Sequence, residues 1–430
     1  MRFAVRRILA VAAIAGFGVA AGLPAGALAA SAAGTLNVIY SFCQKTNCAD
    51  GDQPYGGVTL DEAGRLIGTT GFGGKYNGGT VFALAPRGYG GWRHHTLKSI
   101  CDGTPPSCQS AEGPSTTLIE DTSGNIYGSV YFGGEFSDGA VFELKLAQTG
   151  RYKLKYLHSF DGTDGSGPFE LTYAGASTGA PYDGVSPLYS TTIAGGANNG
   201  GTVFSLAPSK GGTWTLQTLY NFCSASGCSD GGLPYAGVIV DPSGNLFGTT
   251  EYYGSNTAGV IYELSKTNGS WKQSVLYTFC SASGCSDGNG PFAGLARDSA
   301  GNLYGTTYFG GAQNDGVAFE LTANGAYSVL HSFCSQTNCT DGSEPAAAVT
   351  LDASGNIFGT TGRGGDNNFG AVFEIAGGSF KRVYSFCALS ACADGGYPYG
   401  TLIFDSTGHI FGTTQYGGAK SLGEVYKLKP

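Results

Sequence analysis

Apolar and polar residues alternate in short runs along most of this chain, and the runs recur. One copy of the recurring unit reads Gly232-Leu-Pro-Tyr-Ala-Gly-Val-Ile-Val-Asp-Pro-Ser-Gly-Asn-Leu-Phe-Gly-Thr-Thr250. It continues through a Gly/Asn-rich loop to Gly259-Val-Ile-Tyr-Glu-Leu264 and, after Trp271, ends in Val275-Leu-Tyr-Thr-Phe-Cys280. Period-two alternation rich in β-branched and aromatic residues predicts strands. Strand A spans Gly237–Asp241, strand B Leu246–Thr250, strand C Gly259–Leu264 and strand D about Trp271–Phe279. Between A and B, Pro242-Ser-Gly-Asn245 supplies the residues of a tight hairpin turn.

The Gly-(Thr/Ser)-(Thr/Val) element of strand B returns at Gly68, Gly128, Gly248, Gly305, Gly359 and Gly412, and as Ser190-Thr191-Thr192 in a seventh copy, at intervals of about 50 to 60 residues. Four short antiparallel strands per copy form a propeller blade. The expected fold is therefore all-β, a seven-bladed β-propeller over residues 36–430. Leu36–Phe42 reads as a strand D that precedes any strand A, and no strand D follows the last strand C. The N-terminal strand is thus expected to complete the final blade and leave no open edge. The third copy departs from the rest: Asp161-Gly-Thr-Asp-Gly-Ser166 replaces a cysteine loop, and about Ala174–Pro187 is inserted between strands A and B.

Residues 1–30 break the pattern. Arg2, Arg6 and Arg7 precede an apolar stretch from about Ile8 to Ala21, and Ala27-Leu28-Ala29 offers a cleavage site near Ala29/Ala30, the layout of a secretory signal peptide. The apolar run is short for a membrane span and is interrupted by Gly16, Gly18, Gly22 and Pro24. The expectation is a secreted or periplasmic protein without a membrane span, acting as a monomer. The formal charge is -8, and loss of the three leader arginines takes it to -11, which disfavours nucleic acid as a partner. The twelve cysteines fall into local pairs: Cys43/Cys48, Cys101/Cys108, Cys223/Cys228, Cys280/Cys285, Cys334/Cys339 and Cys387/Cys392. In an exported chain such pairs read as disulfides. Zinc would need four ligands together, and no histidine stands beside them.

The motif Asp-x-x-Gly-Asn-(Leu/Ile)-(Tyr/Phe)-Gly-Thr-Thr, followed by Tyr-Phe-Gly-Gly and Gly-x-(Val/Ala)-Phe-Glu-Leu, is legible at Asp298–Leu321 and Asp121–Leu144. It resembles the Gloeo/Verruco (GloVer) tandem repeat of exported bacterial proteins. The resemblance covers nearly all of the chain beyond the leader, implies export, and brings no catalytic residues.

Antiparallel blades place the B–C loops and the D-to-A connections on one face, and loop-rich faces are where binding resides. Aromatics follow the loop proline in five blades: Tyr55, Phe169, Tyr235, Phe292 and Tyr399. At the start of strand A they stand near the mouth of the central channel, where they either pack between blades or stack on a ligand. Phe72, Tyr131, Tyr252, Tyr308 and Tyr416 lie in the loops after strand B, with Arg363 in place of an aromatic in the sixth blade. Asp50, Asp230, Asp287, Asp341 and Asp394 offer oxygen ligands for calcium, but one per blade is not a cage, and an aspartate before glycine caps its own turn. No cofactor or metal is expected. The histidines (His94, His95, His158, His331, His409) fall on strands D or a turn and form no catalytic grouping. Carboxylates for glycoside cleavage are available at Asp161, Asp164, Glu251 and Glu344, with no spacing that singles out a pair. The sequence therefore predicts a non-enzymatic binding propeller for a carbohydrate or envelope polymer. A lyase or glycosidase and a protein-docking scaffold are the alternatives.

Overall fold

Glycine in the middle of strand B sets the geometry of a blade. A Cβ at Gly68 would lie 2.6 Å from the Phe82 ring of strand C, and one at Gly248 would lie 2.5 Å from the Tyr262 hydroxyl. The missing side chain is what lets a large ring of strand C fill the blade. The two residues after the glycine tie the structure together. The first hydroxyl reaches the next blade: Thr191 donates to the Ala236 carbonyl (2.7 Å), Thr249 to Ala293 (3.0 Å) and Thr413 to Gly56 (2.9 Å). The second bridges strands B and C, as where Thr70 Oγ1 accepts from the Thr80 amide at 3.1 Å.

The computed structural model describes residues 34–88, 90–101, 114, 116–209 and 211–430. Residues 33–430 form one unit, and the expected leader, residues 1–30, lies outside the described residues. Among the described residues, seven antiparallel sheets stand as blades, six of them with four strands. In the fourth blade strand B is Leu246–Thr250, strand C Val260–Thr267 and strand D Ser270–Thr278, close to the expected bounds. Strand A shrinks to Ile239–Val240. Just before it, the carbonyl of Ala236 accepts from Thr191 of the preceding blade.

The ring closes as expected. Thr35–Ser41 pairs antiparallel with Glu424–Lys429 and completes the seventh blade. Seven buried clusters fill the spaces between blades, each built from apolar residues of neighbouring sheets, as where Phe42 and Val425 meet Val58 and Phe82. The third blade has a split inner edge, Ser166–Pro168 and Thr172–Tyr173, both pairing with Leu188–Ala194. Its insertion lies on the face of the Asp-Gly-Asn turns, opposite the loops. There it buries Tyr182 completely, with the ring 5.2 Å from Tyr127. The insertion thus extends the core. No helix among the described residues is long and apolar enough to cross a membrane.

Candidate functional site

Among the described residues, five D-to-A connections on the loop face are each built round one buried aspartate, Asp50, Asp230, Asp287, Asp341 or Asp394. Asp230 Oδ2 accepts from the Tyr220 hydroxyl (2.7 Å) and the Ser224 amide (2.9 Å), and Oδ1 accepts from the Ala225 amide (3.2 Å). Asp50, Asp287 and Asp394 repeat the arrangement with Tyr40, Tyr277 and Tyr384. Burial alone would raise the Asp50 carboxyl, but the Tyr40 hydroxyl and backbone amides outweigh it and hold the group below the usual range. These aspartates cap turns, and their oxygens are committed to protein donors. Disulfides close the same loops at Cys43–Cys48, Cys223–Cys228, Cys280–Cys285, Cys334–Cys339 and Cys387–Cys392, with Cα atoms 3.9–4.0 Å apart. Cys101 is disulfide-bonded as well, and Cys108 lies outside the described residues. Such bonds belong to an oxidising compartment. The grouping Asp315, Cys334 and Cys339 offers no metal site, since its two sulfurs are bonded to each other.

Two histidines of strands D reach the loop-face connections. They replace the tyrosine: His331 Nε2 meets Asp341 at 3.0 Å and His158 Nε2 meets Asp164 at 2.7 Å. They hold loop-face connections, and neither belongs to a catalytic grouping.

At the axis, the residues after the loop prolines form a row. Ring centroids are 5.8 Å apart for Tyr131–Phe169, 5.6 Å for Phe169–Tyr235, 4.9 Å for Tyr235–Phe292 and 4.9 Å for Phe292–Tyr308. The first three links cross from blade to blade, an approach this close only near the axis. All of these rings are half-buried. They pack against one another and still present surface to the mouth, so the packing and stacking readings of the sequence are not exclusive.

Blade six interrupts the row, because Ala346 follows its proline. A polar corner takes over. Glu344 Oε2 accepts from the Tyr308 hydroxyl at 2.7 Å and pairs with Arg363 Nε at 3.0 Å, and the Arg363 guanidinium lies 5.9 Å from the Tyr397 ring centroid. The pair stays partly open, with side chains 33% and 27% exposed for Arg363 and Glu344. Tyr399 lies over Gly362, where a Cβ would come within 2.7 Å of its ring. Gln415 Nε2 donates to the Tyr55 hydroxyl (2.8 Å), which donates to Gln53 Oε1 (3.0 Å), joining the seventh blade to the first.

Among the described residues, the residue before each loop proline adopts a left-handed backbone, its amide fixed by a carbonyl of the preceding blade, as for Glu344 and Asp315 (3.0 Å). Gly167 and Gly290 do so without strain, but Gln53, Leu233, Glu344 and Tyr397 carry side chains there at φ 51–57°. Three of those four belong to the polar corner.

Two buried carboxyl groups lie close by in sequence to these loops. Glu251 follows strand B of blade four, is 1% exposed and has Oε2 without a partner. Burial pushes it up to about 8 against a smaller opposing hydrogen bond from Tyr252. Glu424 opens strand C of blade seven, is fully buried with neither oxygen paired, and is raised by burial and then by Asp394 to about 9.

The family model of the Gloeobacter/Verrucomicrobia repeat matches residues 25–187, 109–297 and 282–430. The chain belongs to that family. No curated protein matches it. Among solved structures, this Gloeobacter/Verrucomicrobia repeat protein aligns with a puromycin hydrolase mutant complexed with PGG at 14% identity and TM-score 0.47, over 84% of this chain and 50% of that one. It aligns with a Mycobacterium tuberculosis puromycin-hydrolyzing peptidase at 11% identity and TM-score 0.47, over 85% and 49% respectively. With a Trypanosoma rangeli sialidase the figures are 9% and 0.41, over 80% and 56%. The repeat protein spans about half the length of either peptidase. Likeness this remote carries nothing about chemistry.

All eight residues singled out as ligand contacts fall on the loop face. Phe169, Tyr235, Phe292 and Tyr308 join in one row. Arg363 connects to Tyr308 through Glu344, Tyr55 sits in the glutamine bridge, and Tyr399 closes the corner. Tyr252 stands outside the row, 41% exposed. The five loop aromatics prove to occupy two different positions: Tyr131 and Tyr308 directly follow strand B and turn to the mouth, while Phe72, Tyr252 and Tyr416 come one residue later. Arg363 also holds the later position and still reaches the mouth. Among the described residues the exposed aromatic rings are Tyr76, Phe136, Tyr252, Phe309 and Tyr416, and every one lies in a B–C loop. Glu120, off-pattern in strand A, pairs with Arg65 of the preceding blade at 3.1 Å, a structural contact. The residues missed as ligand contacts were Gln53, Glu344, Tyr397 and Gln415, Glu344 having been weighed only as a carboxylate for glycoside cleavage. The signal for three of them was present, in that a bulky residue precedes proline where other copies have Gly113, Gly167 and Gly290.

Proposed function

We propose that this is an exported binding propeller whose axial mouth takes a carbohydrate, either free or part of an envelope polymer. The observation that carries the reading is the continuous row Tyr131–Phe169–Tyr235–Phe292–Tyr308 at the axis, held by stapled loops and ending in a polar corner. Flat rings contribute contact area with little loss of side-chain entropy, and a rigid scaffold limits the ordering cost of binding. The test is a glycan array together with pull-down from bacterial cell-wall material. Retention is expected for the wild type and should weaken about tenfold in Tyr235→Ala, as the loss of one stacking ring implies. Blank results in both assays at high protein concentration would overturn the reading.

Glycoside cleavage is a second reading, favoured by one observation. Glu251 is raised by burial to about 8, so it keeps its proton at neutral pH as a general acid must, and the mouth also carries the carboxylate of Glu344. It predicts product release from a polysaccharide panel, abolished by Glu251→Gln. No release from any member counts against it.

A further inference from the structure

The mouth is a ring of loops on the propeller axis, and its two halves differ. Blades two to five line it with aromatic rings; from Tyr308 onward through blades six, seven and one, Glu344, Arg363, Gln53 and Gln415 stand among the rings of Tyr55, Tyr397 and Tyr399. A pyranose has the matching asymmetry, with an apolar C–H face and a hydroxyl edge. The carboxylate accepts from one hydroxyl while the guanidinium beside it donates to the neighbouring one, so the Glu344–Arg363 pair fits a vicinal diol. The backbone supports a role beyond packing. Glu344 is kept at φ 54° where the equivalent Gly167 and Gly290 are free of strain.

The position of this pair also limits how a chain can reach it. A polymer lying along the face would rest on the exposed loop tips, such as Tyr76 and Phe136 at 45% and 53% exposure. The inner row is half-buried where those tips are exposed, which favours a small group such as a chain end or a branch over the length of a polymer. Building on the carbohydrate reading, we propose that the mouth binds the terminal pyranose of a glycan, its C–H face on Tyr235 and Phe292 and a vicinal diol on Glu344 and Arg363.

The probes are the methyl pyranosides of glucose, galactose, mannose, N-acetylglucosamine, xylose, rhamnose and fucose, titrated into the full exported protein by saturation-transfer NMR and calorimetry. At least one should bind, with affinity reduced about tenfold or more by Glu344→Gln and by Arg363→Ala, the loss expected for a charge-assisted hydrogen bond. Phe136→Ala at the outlying loop tip should leave it unchanged. Because Arg363→Ala risks the fold, the isosteric Glu344→Gln carries the decision, with thermal unfolding of each variant as the control. If polysaccharides are retained on the array but no methyl pyranoside binds, terminal recognition is overturned and the carbohydrate reading stands. Terminal recognition is likewise overturned if Phe136→Ala weakens binding while Glu344→Gln does not. If neither polysaccharide nor pyranoside binds, both fall together.

Discussion

Glu424 is the least comfortable side chain in the ring, a fully buried carboxyl with both oxygens unpaired. It stands where the other blades have Thr80, Ala140, Thr202, Val260, Val317 and Ala371. The substitution was therefore visible as a break in the repeat, but its burial was not, since only the packed blade shows that solvent cannot reach it. With Glu251 it gives the protein an alkaline weakness. The folded chain keeps these protons to about pH 9 and about pH 8, whereas the unfolded chain releases them near the ordinary glutamate value of about 4.3. Between those limits the folded state binds more protons than the unfolded one, so their contribution to stability falls as pH rises. His94 acts at the other end. Burial lowers it to about 4, so the unfolded chain takes up its proton first as pH falls below about 6.5, and stability declines there too. The melting temperature is expected to drop between pH 7 and 9, and Glu424→Gln should flatten that drop by a few degrees. A wild-type profile that is level from pH 7 to 9 would show that Glu424 has found a partner. Glu344 makes the complementary case. Replacing it with glycine relieves a strained backbone worth about 1 kcal/mol but removes the ion pair at the mouth. Glu344→Gly should melt no lower than wild type while losing ligand, a split that calorimetry and thermal unfolding together resolve.

At the scale of the element, strands B, C and D were legible because alternation and turn chemistry agree, and strand B of the fourth blade falls on the expected residues. Strand A was overextended. Alternation reports which side chains point inward, and it does not report that only Ile239 and Val240 pair with strand B while the Ala236 carbonyl just before them is taken by Thr191 of the preceding sheet. The cysteine loops carry a similar lesson. Disulfides were the obvious staple in the sequence, yet a loop of this size loses only about 2 kcal/mol of unfolded-state entropy. The third blade shows what the loop needs most, since it has no cystine there and keeps Asp164 with His158 at 2.7 Å. The buried aspartate organises the connection and the disulfide reinforces it. Asp287→Ala leaves Tyr277 and the amides of Ser281 and Ala282 without an acceptor. It should cost about 3 kcal/mol or more, exceeding the loss in a Cys280→Ala, Cys285→Ala double variant. Urea unfolding of the two proteins decides the order; a larger loss from removing the cystine would reverse the assignment.

For the whole molecule, the count of strands along the sequence already required the N-terminal strand to close the ring, and the pairing of Thr35–Ser41 with Glu424–Lys429 meets that requirement. What no count could supply is how much of the mouth depends on the seam. The amide of Gln53 is fixed by the Leu422 carbonyl at 2.8 Å, Thr413 donates to Gly56, and Gln415 reaches Tyr55, so one side of the polar corner is assembled from the two ends of the propeller. Phe42 is fully buried between Phe82 and the last strand, and its amide is held by the Gly423 carbonyl at 3.0 Å. Removing the N-terminal strand therefore exposes the paired edge of Glu424–Lys429 and opens a core cluster in the same step, while every other blade keeps its own strands. Edge exposure of this kind invites association between copies. A chain starting at residue 43 should unfold at lower temperature and associate, and it should lose carbohydrate retention even though Glu344 and Arg363 are intact. A synthetic peptide of residues 34–42 added in trans should restore the melting temperature and retention together, because it supplies both the missing strand and the buried Phe42. Full stability without the peptide would mean that the seam is not closed by this strand. Restored stability without restored retention would place the binding surface away from the mouth.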